Sequence, residues 1–301
     1  MKIAHISDLH LLALEHVPFH RFLNKRLSGW VNLKLHRGAV HRPGHARAIV
    51  AEIARREVDH VIVTGDFTNL ALEGEFALAR DLLANDLGFD PSRVTVVPGN
   101  HDLYTRGARQ SRRFERYFAP WLQSDLPELC VDVAGVRFPV VKLRGEAAIV
   151  AVTSAVPRPP FVAAGEVGRP QMRAIERVLA HPEVARRTLV LALHHPVVDD
   201  WSIFKRHIEG LRDAPELLAL LRPVGKGLIV HGHLHRRIQR PFGTGSMKQV
   251  GAGSASLHHE GGDRMAGFNV YGVASDGSVS VEAHVYRPST NSFDVERVPD
   301  V

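Results

Sequence analysis

The sequence predicts a layered α/β fold, and three patterns carry that expectation. Apolar runs of strand length alternate with helical stretches from the N-terminus to about residue 236. Five of these runs end in a short polar block rich in Asp, Asn and His. Beyond residue 236 the chain changes to hairpin-like alternation.

Taken in order, strands are expected near 2–7, 59–64, 93–98, 148–153, 187–193 and 227–231. Helical periodicity places helices near 45–57, 73–86, 106–118, 170–181 and 213–221. In the first of these, Ala46, Ile49, Val50, Ile53 and Ala54 fall on one face. The stretches Phe268 to Ala274 and Val279 to Val285 flank Ser275-Asp276-Gly277, a hairpin signature, so a second, antiparallel sheet is expected to close the fold. No repeat, low-complexity tract or long Ser/Gly linker divides the chain, and residues 1–301 are expected to form a single domain.

The polar blocks are Asp8-Leu9-His10, Gly65-Asp66, Gly99-Asn100-His101-Asp102, His194-His195-Pro196 and Gly232-His233-Leu234-His235. The carboxyl ends of successive parallel strands converge on one crevice, where open α/β sheets bind their ligands. Asp8 and His10 are two residues apart, which in an extended segment puts both on one face, able to grip one ion. His233 and His235 repeat that spacing. Asp66 follows Gly65, which permits a tight turn, and its carboxylate can bridge two cations; Asn100 offers a neutral amide oxygen. Taken singly, each block is equally turn or core chemistry. Five in consistent chain order, each at a strand end, point to a metal site. Asp, His and Asn donors without Cys suit Mn, Fe, Co or Zn rather than a thiolate centre.

In that order the blocks resemble those of the calcineurin-like metallophosphoesterase superfamily, over residues 3–235. The wording His5-Ile6-Ser7-Asp8-Leu9-His10 and His194-His195-Pro196 is most similar to its bacterial cyclic-nucleotide and glycerophosphodiester phosphodiesterase branch. The resemblance implies a four-layer α/β/β/α sandwich with a dinuclear metal site at the strand C-terminal ends, between two sheets. It also implies a ligand set: Asp8, His10 and His235 on one metal, Asn100, His194 and His233 on the other, and Asp66 bridging them. The tyrosine ligand of purple acid phosphatases has no counterpart in Gly65-Asp66-Phe67-Thr68-Asn69, so no purple centre is expected.

The chemistry expected of two divalent or mixed-valence transition metal ions (Mn, Fe, Zn or Co) is attack of a bridging hydroxide on a phosphodiester. His101, next to Asn100 but not itself assigned as a ligand, is the expected acid for the leaving group, with Asp102 its expected orienting partner. His195 is expected to support the site without binding metal. Arg106, Arg113, Asn69 and Trp201 could line a substrate pocket but are equally explicable as surface or core.

Composition narrows the alternatives. One cysteine, Cys130, excludes an internal disulfide framework and lies outside every block. The first strand begins at Lys2, leaving no room for a signal peptide, and no apolar stretch is long enough to span a bilayer. A cytoplasmic location is therefore expected. The net charge is +6, and seven Lys or Arg, with no Asp or Glu, lie between His16 and Arg47. Within an insertion at 11–44, Phe19, Phe22, Leu23, Leu27, Trp30 and Leu33 recur at helical spacing, while Arg21, Lys25, Arg26 and Lys34 mostly fall elsewhere around the helix. This basic amphipathic stretch suits an active-site lid, an anionic membrane surface at the inner face, or a dimer contact. The expected substrate is a small-molecule or lipid-linked phosphodiester. A lipid-precursor (nucleotide diacyl-sugar) pyrophosphatase is the alternative, and a nuclease or non-catalytic scaffold ranks below both.

Overall fold

The computed structural model describes residues 1–14, 17, 40–103, 105–133, 135–243 and 245–301. Fourteen strands are assigned among them, and twelve form two six-stranded sheets. In the first sheet β1 (Lys2–Ile6), β2 (His60–Val63) and β3 (Val94–Val96) run parallel. The short hairpin of β4 (Val131–Val133) and β5 (Val136–Phe138) stands apart, followed by β6 (Val140–Arg144). β7 (Ala147–Ala151), β8 (Thr188–Ala192) and β9 (Gly227–His231) are the parallel centre of the second sheet. β10 (Ile238–Phe242) and β11 (Met247–Gly251) extend that sheet to the order β10-β11-β9-β8-β7-β6.

The C-terminal strands correct one expectation. β12 (Gly267–Val273), β13 (Val279–Arg287) and β14 (Ser292–Glu296) form an antiparallel ribbon, but not a separate sheet. β12 pairs antiparallel with β1, giving the order β14-β13-β12-β1-β2-β3. The parallel strands β1 to β3 and β7 to β9 stand in different sheets. A hairpin signature specifies the turn but not the edge that its ribbon joins.

Alternation along each strand builds the layers. Ile3, Ile62, Ile149, Val190, Leu228 and Val230 meet Tyr271 and Ala283 in a cluster between the sheets. Their neighbours Ala4, Ile6, Val61 and Val63 face outward, against the helices Pro43–Arg55 and Glu73–Asp81. Val150, Leu189, Leu191 and Ile229 likewise face the helices Arg169–Ala180 and Ala214–Leu221. The result is the four-layer α/β/β/α sandwich. Full burial of each such apolar side chain contributes roughly 1.5–3 kcal/mol.

Two expected helices are interrupted. The stretch at 106–118 is two helices, Arg106–Gln110 and Arg113–Phe118, separated where Arg112 takes φ 50°. That at 73–86 widens into a π-helical turn at Leu82–Leu87, closed by Gly88 at φ 66°. The helix Ile203–Glu209, whose sequence has no buried residue to set a period, is additional to those expected. Apart from 11–14, 17 and 40–44, the 11–44 insertion with its expected amphipathic helix lies outside the described residues.

Candidate metal centre

The loops after β1, β2, β3, β8 and β9 meet at one end of the sandwich. Backbone bonds lock the first two together: Asp8 N donates to Gly65 O at 3.0 Å, His10 N to Asp66 O at 2.9 Å and Leu11 N to Phe67 O at 2.9 Å. Asp8, His10, Asp66, His233 and His235 take φ of 54°, 45°, 51°, 67° and 51°. Five non-glycine residues in the left-handed region, all in this crevice, mark backbone bent to aim side chains. This replaces the extended-segment premise for Asp8 and His10: a curled loop, not strand pleating, brings them together. Gly65 sits at φ 89°, and a Cβ there would lie 2.5 Å from Gly99 N. Only glycine allows the second and third loops this close approach.

The expected side chains converge. His10 Nε2 is 3.0 Å from His235 Nε2, and His235 Nε2 is 3.2 Å from Asp8 Oδ1. Asn100 Oδ1 lies 3.1 Å from His194 Nε2 and 3.2 Å from His233 Nδ1. Asp66 Oδ2 stands between the groups, 3.4 Å from His194 Nε2 and 3.9 Å from His10 Nε2. Far nitrogens of the rings are tethered: His194 Nδ1 to Thr64 O at 2.6 Å and His233 Nε2 to Glu209 O at 2.7 Å. Such tethers fix ring tautomer and orientation, as around metal-binding imidazoles.

The donor set fits a metal pair. Asp8 Oδ1 is buried without a hydrogen-bond partner, although imidazole nitrogens surround it. Burial, reinforced by His41 and His235, drives His10 well below the usual histidine range; burial and the charge of His194 push His233 down to about 3. Both rings are neutral, the form in which imidazole binds a cation. Burial alone would raise Asp66, but His194 and His101 outweigh it and hold the carboxyl well below the usual range. His194 is pushed up to about 9, its burial outweighed chiefly by the Asp66 carboxylate.

His101 and Asp102 part company. His101 Nδ1 is held by Asn69 O at 2.7 Å, and its backbone N donates to Asp66 Oδ1 at 2.8 Å. The carboxylate of Asp102 accepts instead from Thr68 N at 3.0 Å, Thr68 Oγ1 at 3.0 Å and Gly99 N at 2.9 Å. The expected orienting role of Asp102 is corrected: buried among these donors it ties the β2 and β3 loops, and Asn69 orients His101. Asn69 also donates from Nδ2 to His10 O at 2.5 Å. Its buried amide could have been suspected from its place three residues after Asp66, but its direction could not.

Other residues also find places. His195 is buried, with Nδ1 2.8 Å from Ser154 Oγ and Nε2 2.8 Å from Ala163 O, a supporting position. Arg113 pairs with Glu73 at 2.6 Å and donates to Ala71 O. Trp201 lies under Lys205 Nζ, 4.4 Å from its ring centroid. His41, absent from the expected site, comes within 4.6 Å of His10, ring to ring.

Residues 1–237 match the family described as calcineurin-like phosphoesterase. The chain belongs to that family. Its members are dinuclear metal-dependent hydrolases of phosphoester bonds, and the candidate ligands of this phosphoesterase lie within the matched span. Solved structures agree in fold. A dimetal phosphatase from Danio rerio is 15% identical, with 90% of this chain and 91% of that one covered, at a TM-score of 0.55. A purple acid phosphatase from yellow lupin (Lupinus luteus) is 12% identical at a TM-score of 0.59, with 99% of this chain and 54% of the lupin chain covered. PhoD is 9% identical at a TM-score of 0.57, covering 100% of this phosphoesterase and 73% of PhoD. Comparison with curated protein sequences finds no match. Among the described residues no helix is long and apolar enough to cross a membrane.

Proposed function

We propose that this phosphoesterase is a phosphodiesterase in which Asp8, His10 and His235 hold one metal ion, Asn100, His194 and His233 hold a second, and Asp66 bridges them. The convergence of these seven side chains, with His101 beside them, carries this assignment. Two ions there would supply Lewis-acid stabilisation of phosphoryl charge and acidify water, and the all-N/O donor set supports Mn, Fe, Zn or Co. The wording of the first and fourth blocks supports the cyclic-nucleotide and glycerophosphodiester branch.

His101 supports phosphoester hydrolysis by offering a general acid beside the proposed metal pair. With Nδ1 held by Asn69 O, a protonated His101 would give a proton to the departing alkoxide as the phosphorus–oxygen bond breaks and water oxygen bonds to phosphorus. The test is a rate panel on a chromogenic diester, a monoester, cyclic AMP and a glycerophosphodiester with each metal in turn. Higher kcat/KM on the monoester than on the diester would reverse the assignment.

A lipid-linked substrate is favoured by a separate feature. Phe161, Ile203 and Phe204 are 88%, 73% and 75% exposed. Their two segments are joined by Ala163 N donating to Ile208 O at 2.8 Å, and they touch the crevice through Ala163 O on His195 and Glu209 O on His233. Apolar side chains beside the metal centre, with Lys205 and Arg206 next to them, would suit acyl chains or an anionic membrane surface. A peripheral enzyme at the inner membrane face, acting as a lipid-precursor pyrophosphatase, belongs to this second reading. Flotation with anionic liposomes, lost in Phe161→Ser/Phe204→Ser, supports it; no flotation of the wild type at low salt overturns it.

A further inference from the structure

One excursion of the chain links the two histidines proposed for the second metal ion. It leaves β8 through His194-His195-Pro196, carries the helix Ile203–Glu209, and ends at Glu209, whose carbonyl O is 2.7 Å from His233 Nε2. A carbonyl can only accept, so that Nε2 carries the hydrogen, and Nδ1 is turned to Asn100 Oδ1, 3.2 Å away. His194 is held likewise, with Nδ1 on Thr64 O at 2.6 Å and Nε2 3.1 Å from Asn100 Oδ1.

The root of this excursion is gripped from β11. Met247 packs in the outer core and Val250 between the sheets, so strand alternation turns Gln249 outward, beneath the loop after β8. Its Oε1 accepts from Val197 N and Val198 N, both at 2.7 Å, and its Nε2 donates to Val198 O at 2.8 Å. Two donors on one atom and an acceptor on the other fix which way the amide points. Gln249 is buried, and among the described residues its side chain bonds to nothing else. A buried amide must make its hydrogen bonds to be tolerated, and here they all go to the two residues that follow His194-His195-Pro196. Past that clamp, the buried carboxylate of Asp199 pairs with Arg206 at 2.7 Å and accepts from Trp201 N at 3.0 Å. The excursion is thus braced from its root to its helix.

We propose that Gln249 is a positioning residue for the second metal site. By gripping Val197 and Val198 it sets His194 at one end of the excursion and, through the Asp199–Arg206 brace and Glu209, the His233 ring at the other. It bonds to none of the seven proposed ligands. The proposal rests on the dinuclear assignment above. It makes the two ions unequal in their dependence on Gln249, because the first, held by Asp8, His10 and His235, has no donor on the excursion.

The test is metal affinity, read apart from turnover. Wild type, Gln249→Met, Gln249→Glu and Asn100→Ala are stripped and titrated with Zn against a chromophoric chelator, and cobalt-loaded samples are compared by visible absorption. Asn100→Ala removes a donor of the second ion alone and so marks its binding step and its cobalt bands. Wild type is expected to bind two ions per chain. Gln249→Met, which cannot make the three bonds, should bind the marked ion about tenfold more weakly, change its cobalt bands, and leave the other ion within about twofold. Gln249→Glu keeps the acceptor for Val197 N and Val198 N and should recover most of that affinity, leaving about a threefold loss; it carries the test if Gln249→Met does not fold. Wild-type affinity for the marked ion in Gln249→Met, or in Gln249→Glu where only that variant folds, would overturn the positioning role, whatever the change in melting temperature. Equal weakening of both ions would overturn it too, because a general loosening of the fold produces that result. Fewer than two ions on wild type would instead overturn the dinuclear assignment itself.

Discussion

The Nε2 atoms of His10 and His235 lie 3.0 Å apart although the residues are 225 positions apart in the chain. One belongs to the loop after β1 in the first sheet and the other to the loop after β9 in the second. Their meeting is a product of sheet stacking, and it places the proposed metal pair across the seam between the sheets. Four predictions follow from such contacts.

Asp66 is the residue through which both halves of the proposed site communicate, lying 3.4 Å from His194 and 3.9 Å from His10. Asp66→Ala should lose metal from both positions and lower turnover by about a hundredfold or more. Elemental analysis decides it, and full occupancy of both positions would count against the bridge.

His101 should behave differently. His101→Ala is expected to retain two ions yet lose about 10²–10⁴ in kcat on a diester with a poor leaving group. With a nitrophenolate leaving group, which needs no proton, the loss should be much smaller. Equal losses on both substrates would remove the acid assignment.

Gly99 is packed so closely that an added Cβ would collide with the backbone nitrogen and carboxylate of Asp66. Gly99→Ala should therefore cost about 1–3 kcal/mol or more in stability and displace the bridge. Thermal unfolding and metal content should fall together; an unperturbed melting temperature would contradict the packing.

Lys142 on β6 reaches across to the start of β3 and the turn before it, where its Nζ donates to Val94 O and to Pro91 O at 2.7 Å. Burial, with the charge of Arg144, pushes its pKa down from the usual 10.5 to about 8. Between those values the unfolded chain holds a proton that the folded chain has released, so stability rises with pH across this window. The gain is on the order of 3 kcal/mol at most. Lys142→Met should flatten that rise, as measured by denaturant unfolding at pH 7.5 and 10; parallel curves for the two proteins would refute it.

Much of the site was legible in the sequence because its signals are local. An apolar run such as Val61-Ile62-Val63 followed by Gly65-Asp66 declares a strand and the donor at its end without reference to any partner. Residue type also dictates donor chemistry, so Asp, His and Asn without Cys restrict the metal. Ser154 and His41 were not legible as neighbours of the site. Each acts through a contact with a segment distant in sequence, and nothing in its own neighbourhood points there.

The sequence by itself determined the strands that carry the site, which side chains stand at their ends, and that those side chains suit hard to borderline cations. Only the tertiary structure decided that the parallel strands divide between two sheets and that the C-terminal ribbon pairs with β1. It also decided that Asn69 rather than Asp102 orients His101, and that His41 reaches the centre. Strand propensity and donor type are properties of short stretches, whereas strand pairing and ring orientation depend on which distant surfaces bury one another.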